Sequence, residues 1–380
     1  MMVLRRKWFI LLIPISALVA TFSFTTLQHP SSNVIRTSYV DRGSSALYVS
    51  NVTNTRANNS KGLQKDEQQK HPFDKDENGN GTKLPFQFNQ SIPYFPFAPA
   101  MKAANNHNFG IIHRPADFRF DKGNHDGPYL LVLMLSRASS ITQRNAQRES
   151  CLSVKVARGR NVRSVFLLGK PKEEKLIAEI KAEQEQYQDI LMEDFDDTYN
   201  NLTLKVLMGM KWASEYCNNA SWVMKVDDDV YVDLAQLVAL LEGLTTTVKI
   251  MIGWQYHESK PVRDTNNKWF VSKEQYIAPV YPDYMCGLGY VMSGDLPRLF
   301  YEESMSLPYF FLEDVFMGIL AKRIGVTMHH SRKFEKRDRK YVKSPKSDAV
   351  AIHLSKPHRV TSFFKANAGR LKTSRGRHPR

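Results

Sequence analysis

The feature that most constrains the fold of this chain is a run of seven apolar residues at 129–135, without polar alternation. Such a run predicts a strand buried on both faces of a sheet. Further predicted strands follow, alternating with segments of helical periodicity, at 162–168, 189–192 and 220–226. This alternation predicts an α/β fold with a mostly parallel sheet and flanking helices, in a folded domain at 126–380.

The N-terminus predicts a membrane anchor. Residues 8–27 contain no charged side chain and follow Arg5, Arg6 and Lys7. About 20 apolar residues of helix cross the hydrocarbon core of a bilayer, and a cationic flank stays cytoplasmic. We therefore expect a cytoplasmic tail at 1–7, a transmembrane signal-anchor at 8–27 and a luminal remainder, as in a single-pass type II membrane protein. A cleaved signal peptide is the alternative.

The segment 28–125 is hydrophilic and has weak apolar periodicity, which predicts a mostly disordered luminal stem. N-x-S/T sequons behind a membrane anchor favour a glycosylated spacer, although an unmodified linker would be an equally flexible tether. The four sequons of this segment are at Asn51, Asn58, Asn80 and Asn89.

Charge and cysteine usage narrow the function. The formal net charge is +15, yet zinc-finger spacing and an RNP-like run are both missing, so we expect no nucleic-acid partner. Cationic groups near a diphosphate substrate fit the charge equally well. The three cysteines, Cys151, Cys217 and Cys286, do not form a disulfide-dense scaffold or a C-x2-4-C metal motif, and their pairing stays open.

An acidic triplet, Asp227 to Asp229, directly follows the predicted strand at 220–226. In open α/β sheets ligands bind beyond the carboxyl ends of the strands. Adjacent carboxylates repel one another, so such a cluster needs a cation or full solvent exposure, and oxygen ligands suit Mn²⁺ or Mg²⁺. From spacing alone, an acidic turn before a helix near Asp233 explains the triplet equally well.

Five ordered blocks of sequence resemble the β-1,3-glycosyltransferase family (glycosyltransferase family 31), which contains β-1,3-galactosyl- and β-1,3-N-acetylglucosaminyltransferases. The resemblance covers about residues 128–370. The sequence departs from the family pattern at Gln147, where Ile is usual, at Cys151, where Trp is usual, and at Met285-Cys286. The blocks are residues 144–150, 194–205, 224–230, 281–293 and 313–318.

The resemblance implies a GT-A-type, Rossmann-like fold, a UDP-sugar donor, a Mn²⁺ or Mg²⁺ cofactor and a glycan acceptor on a glycoprotein or glycolipid, with the catalytic domain in the Golgi lumen. The implied metal ligands are Asp229, His353 and Asp227. The implied donor-binding residues are Arg144, Arg148, Asp227, Asp228 and Lys225.

The resemblance also implies the chemistry. A β-linked product from an α-linked UDP-sugar requires inversion in one displacement, with one carboxylate taking the proton of the acceptor hydroxyl. Asp314 is the expected catalytic base, and a helix N-cap is its alternative role. The expected acceptor-binding residues are Glu313, Trp269 and Tyr284.

We therefore expect an inverting galactosyltransferase that forms a β-1,3 linkage from UDP-galactose. The alternatives are transfer of N-acetylglucosamine or N-acetylgalactosamine and, with the triplet and Asp314 both present, a less favoured non-catalytic, chaperone-like relative. The preference for galactose depends on the segment 268–272 and the GYV-x-S block, which look closer to the galactosyl branch.

Overall fold

The computed structural model describes residues 94–98, 107–116, 127–336 and 348–373, with side chains through residue 367. The predicted cytoplasmic tail, the signal-anchor and the sequons at Asn51, Asn58, Asn80 and Asn89 lie outside these residues. Among the residues described, no helix is both long and apolar enough to cross a membrane.

Strands and helices alternate along the described chain. The strands are β1 Ile111–His113, β2 Leu130–Leu135, β3 Val156–Ala157, β4 Arg160–Lys170, β5 Ile190–Asp196, β6 Trp222–Asp227, β7 Val230–Val232, β8 Ile250–Tyr256, β9 Tyr284–Ser293, β10 Thr327–His330, β11 Phe334–Glu335 and β12 Ala351–His353. The α-helices are α1 Ile141–Arg148, α2 Glu174–Tyr187, α3 Leu202–Tyr216, α4 Leu234–Glu242, α5 Leu296–Ser304, α6 Glu313–Ile324 and α7 Pro357–Thr373.

The large sheet has the strand order β1-β5-β4-β2-β6-β9-β8-β10. Its centre, β5-β4-β2-β6, is parallel, but β9 runs antiparallel to both of its neighbours and β1 runs antiparallel to β5. The α/β prediction is confirmed, and the mostly parallel sheet is corrected to a mixed one. The antiparallel β9 contains Gly287 and Gly289, and glycine is depleted in strands, so residue preferences alone do not identify it.

The sheet has an apolar layer on each face. Every residue of β2 is buried, because α3, α5 and α6 cover one face while α2 and α4 cover the other. The alternating side chains of β2 therefore enter two separate cores, which explains its continuous apolar sequence.

A small second sheet, β11-β12-β7, begins directly after the acidic turn. Its strand β12 pairs antiparallel with β7, and His353 is opposite Val230. This register brings His353 next to Asp229, although the two residues are far apart in the sequence.

The folded unit begins before the predicted boundary at 126. All described residues belong to one compact unit, Phe86–Arg380. The strand β1 extends the sheet edge at β5, and the buried ring of Phe97 packs edge-on against Tyr276. Such contacts join residues distant in the chain, so composition and periodicity gave no signal for them.

Candidate active site

The acidic triplet is a turn between two strands. Asp227 is the last residue of β6, and β7 begins at Val230. The backbone N–H of Asp228 donates to the carbonyl of Leu135 (3.1 Å), and the N–H of Leu354 donates to the carbonyl of Asp229 (2.9 Å). The turn is therefore fixed at the carboxyl ends of β2 and β6, where ligands of parallel sheets bind.

The carboxylate of Asp229 faces the imidazole of His353. Asp229 Oδ2 and His353 Nε2 are 3.0 Å apart, and the two side chains are 38% and 31% exposed. Their exposure leaves both groups accessible to a ligand from solvent.

The carboxylate of Asp228 has a different partner from that of Asp229. Its Oδ2 accepts a hydrogen bond from Ser136 Oγ (2.6 Å), and Arg144 donates to the same hydroxyl (3.2 Å). Burial and the neighbouring carboxylates of Asp229 and Asp227 together raise the pKa of Asp228 to about 6, against the hydrogen bond from Ser136. A nearby cation would relieve this repulsion.

Lys225 connects the acidic turn to the start of α6. Its buried Nζ is 2.9 Å from Asp227 Oδ1 and 3.1 Å from Glu313 Oε2, and it also donates to the carbonyl of Gly287. Burial alone would lower the pKa of Lys225, but the carboxylates of Asp227 and Glu313 outweigh it and raise the pKa. The lysine therefore keeps its proton.

Glu313 and Asp314 are the first two residues of α6, where the helix dipole favours anions. Glu313 is buried and accepts a hydrogen bond from Tyr290 (2.7 Å), and burial raises its pKa to about 7 against the charge of Lys225. Asp314 is half-buried, and one of its oxygens accepts the N–H of Val315 (2.9 Å). Burial also raises the pKa of Asp314.

A cavity of about 430 Å³ opens between the acidic turn and the start of α6. Six side chains singled out from the sequence line it together, and Tyr199 adds a hydroxyl that accepts a hydrogen bond from Trp269 Nε1 (3.0 Å). The indole of Trp269 is 46% exposed, and the ammonium of Lys268 lies 4.7 Å from its ring centroid. The six side chains are Lys225, Asp227, Trp269, Tyr284, Glu313 and Asp314.

Arg144 and Arg148 are engaged in ion pairs. Arg144 is fully buried and binds Glu183 through two hydrogen bonds of 2.7 and 2.5 Å. Arg148 binds Asp189 and Glu183, and its guanidinium lies 3.9 Å from the ring centroid of Tyr187. The two arginines hold α1 to α2 and β5, and only Arg144 reaches the acidic turn, through Ser136.

The donor set at the turn fits a hard divalent cation that completes its shell with substrate oxygens. Among the described residues, no group of three or more His, Cys, Asp or Glu side chains is arranged to hold an ion alone. Asp229 and His353 could supply two ligands at one point, and Mg²⁺-like ions are commonly bound by one or two protein groups plus phosphates and water.

The structure adds two residues to this site that the sequence reading did not single out, Ser136 and Tyr199. Ser136 directly follows the last residue of β2. A polar residue at the carboxyl end of a parallel strand indicates a ligand-binding position, so the sequence could have pointed to it. Tyr199 lies in the 3-10 turn Tyr199–Asn201, and its proximity to Trp269 depends on a long-range contact. The three cysteines of the chain are free thiols in the described structure.

Comparison with known proteins agrees with this chemistry. Beta-1,3-galactosyltransferase 5 of Homo sapiens is 32% identical over 252 residues, covering 66% of this chain and 80% of the relative. Beta-1,3-galactosyltransferase 1 of Mus musculus is 30% identical over 278 residues, covering 70% and 85%. A crystal structure of the galactosyltransferase LgtC with donor and acceptor sugar analogs superposes with a TM-score of only 0.31 at 12% identity, over 66% of this chain and 97% of that one, which is too weak to carry a conclusion.

The sequence model of one family, described as Galactosyltransferase, matches residues 142–332. The matched range contains the acidic turn, the cavity aromatics and the start of α6. The chain is thus a glycosyltransferase, and it belongs to the galactosyltransferase family.

Proposed function

We propose that this enzyme transfers galactose from UDP-galactose to a hydroxyl of a glycan and forms a β-1,3 linkage with inversion at the sugar. The observation that carries the proposal is the shared cavity, which Asp314 and Asp227 of the acidic turn both line. The names of the relatives support galactose and the β-1,3 linkage. The acidic turn at the carboxyl ends of parallel strands supports a GT-A-type fold.

At the donor side, Asp229 and His353 would hold Mn²⁺ or Mg²⁺, with Asp227 next to them. When bound, the ion offsets the negative charge that develops on the diphosphate leaving group. The side chain of Asp228 is held by Ser136, so it is oriented before a nucleotide arrives. Donor contact by Arg144 and Arg148 remains a prediction, since both guanidinium groups have carboxylate partners.

At the acceptor side, Asp314 would take the proton of the attacking hydroxyl. Burial raises its pKa, which makes it a stronger base than an ordinary aspartate. Trp269 offers an exposed aromatic face for a sugar ring, with Tyr284 in the same wall. Glu313 is occupied by Lys225 and Tyr290, so we assign to it the support of α6 and of the acceptor wall.

The proposed location is the Golgi membrane, in single-pass type II orientation with a luminal catalytic domain. It follows from the uncharged segment 8–27 behind three cationic residues and from the four sequons. Carbonate extraction, and a mobility shift after removal of N-glycans, test the two parts. Release of the chain by carbonate would contradict the anchor.

The full-length chain, purified in detergent, tests the activity. It is incubated with UDP-galactose, UDP-N-acetylglucosamine or UDP-N-acetylgalactosamine, with Mn²⁺ or with EDTA, and a panel of glycan acceptors. We expect UDP release and a β-1,3 product with UDP-galactose and Mn²⁺ only. Asp314→Asn should abolish transfer and retain UDP binding, whereas Glu302→Gln, at an exposed position of α5, should behave as the wild type.

Three outcomes would overturn parts of the proposal. Preference for another donor would replace galactose and leave the mechanism intact. Full activity in EDTA would contradict the assignment of a metal site to Asp229 and His353. Galactose transfer by the Asp314→Asn variant would contradict the assignment of Asp314 as the catalytic base.

A further inference from the structure

Gln147 on α1 is fully buried, and its side-chain amide reaches the acidic turn. Its Nε2 donates to the carbonyl of Asp228 (2.7 Å) and to the carbonyl of Val230 (2.9 Å). The two acceptors lie immediately before and after Asp229. A single side chain therefore fixes the backbone on both sides of the residue whose carboxylate faces His353.

The amide of Gln147 has one possible orientation. Its Oε1 accepts a hydrogen bond from the thiol of Cys151, one helical turn further on (2.7 Å). Burial raises the pKa of Cys151 to about 11, so the sulfur keeps the proton that it donates. The reverse orientation would direct the amide oxygen at two carbonyl oxygens and the NH₂ group at the S–H.

The same helix also holds the side chain of Asp228, through Ser136. Arg144, one turn earlier on α1, binds Ser136, which donates to the carboxylate of Asp228. The ion pair with Glu183 fixes Arg144 in turn. Helix α1 thus has two separate connections to the acidic turn. Arg144 acts through Ser136 on the side chain of Asp228, and Gln147 binds backbone carbonyls of the turn.

We propose that Gln147 is a positioning residue, which sets the direction of the Asp229 carboxylate toward His353 and thereby the affinity of the metal site. The inference rests on the proposed function, because that function places the ion at Asp229 and His353. A metal ligand held by outer hydrogen bonds typically loses 10–100-fold in affinity when those bonds are removed. A residue that only stabilises the fold would leave the affinity unchanged.

The test compares Gln147→Met and Gln147→Glu with the wild type in the full-length chain. Methionine has a similar length and lacks both N–H donors, and glutamate keeps the shape and, at a pH where it is ionised, lacks the donors as well. Ser150→Ala is the matched control, because its buried hydroxyl donates only to backbone carbonyls of α1, those of Ala146 (2.5 Å) and Gln147 (3.4 Å), and leaves the Gln147 side-chain amide in place. Mn²⁺ binding is measured from the electron paramagnetic resonance signal of free Mn²⁺, and thermal unfolding is measured in parallel.

We expect the Mn²⁺ dissociation constant to rise about tenfold in both Gln147 variants and to stay at the wild-type value in Ser150→Ala. The Mn²⁺ concentration for half-maximal activity should rise by the same factor. If Gln147→Met fails to fold, Gln147→Glu carries the test. Wild-type Mn²⁺ affinity in a folded Gln147 variant would overturn this role alone, whereas no Mn²⁺ binding by the wild type would overturn the proposed metal site as well.

Discussion

Lys225 Nζ and Glu313 Oε2 form a 3.1 Å ion pair between strand β6 and the first residue of helix α6. Both side chains are buried, with 2% and 5% of their surface exposed. Lys225 also binds Asp227, so one cation joins the acidic turn to the helix that carries Asp314. The spacing between the proposed metal site and the proposed base depends on this lysine.

Replacement of Lys225 by methionine should destabilise the protein and reduce transfer. Loss of one partner of a buried ion pair costs about 3–5 kcal/mol, since the remaining charge is left without compensation. We expect the free energy of unfolding in urea to fall by about 3 kcal/mol. The double variant Lys225→Met/Glu313→Gln removes that charge and should recover part of the loss. Equal unfolding free energies for wild type and Lys225→Met would contradict the prediction.

The acid limb of the pH–rate profile should report Asp314. A base acts in its ionised form, and burial raises the pKa of this carboxyl above the ordinary aspartate value of 3.8. Activity should therefore fall, as the pH decreases, at a higher pH than an exposed aspartate would produce. The profile of kcat between pH 4 and about 8, at saturating donor and acceptor, measures the limb. A limb at or below the ordinary value would argue against Asp314.

Trp269→Ala should weaken acceptor binding selectively. An aromatic contact contributes about 0.5–1.5 kcal/mol, so the acceptor KM should rise about threefold to tenfold while the KM for UDP-galactose stays constant. Tyr199→Phe, which removes the hydroxyl that holds the indole nitrogen, should have a smaller effect in the same direction. Ile277→Ala is the control, since it lies in the same connection, is 54% exposed and does not line the cavity. An unchanged acceptor KM in Trp269→Ala would exclude the stacking role.

Glu183 should make the stability depend on pH in the acid range. Burial alone would raise its pKa, but the hydrogen bonds and charges of Arg144 and Arg148 lower it below the ordinary value of 4.5. Because the folded-state pKa is depressed, the stabilisation is fully present above about pH 4.5 and is lost as the pH falls through the folded-state value.

Glu183→Gln tests this dependence. At pH 7 the variant should be less stable than the wild type by about 3 kcal/mol, since the buried guanidinium of Arg144 loses its carboxylate. The difference should shrink below about pH 4.5, when the wild-type carboxyl begins to take up a proton. Urea unfolding at pH 7 and at the lowest pH where the protein stays folded measures it. A difference that is constant with pH would show that the carboxylate charge is not what stabilises α1 against α2.

Local patterns predicted the parts of the fold that depend on neighbouring residues. The strand β2 and the strand β6, with the acidic triplet at its end, are at the predicted places. The strands β1 and β9 were not predicted, because one is a short edge strand and the other contains glycines, and both are stabilised by partners distant in sequence. The arginines of α1 have their carboxylate partners on α2 and just before β5, which their place in the sequence did not indicate.

The sequence by itself determined the chemistry of this protein. It contains three carboxylates after a buried strand, the acidic pair Glu313 and Asp314, and the blocks that place the chain in its family. Only the tertiary structure decided which of these groups meet. The register of β12 on β7 brings His353 to Asp229, and the buried charge of Lys225 draws Asp227 and Glu313 together. Residue type and spacing fix what a side chain can do, but its partners depend on packing between segments far apart in the chain, which no local pattern encodes.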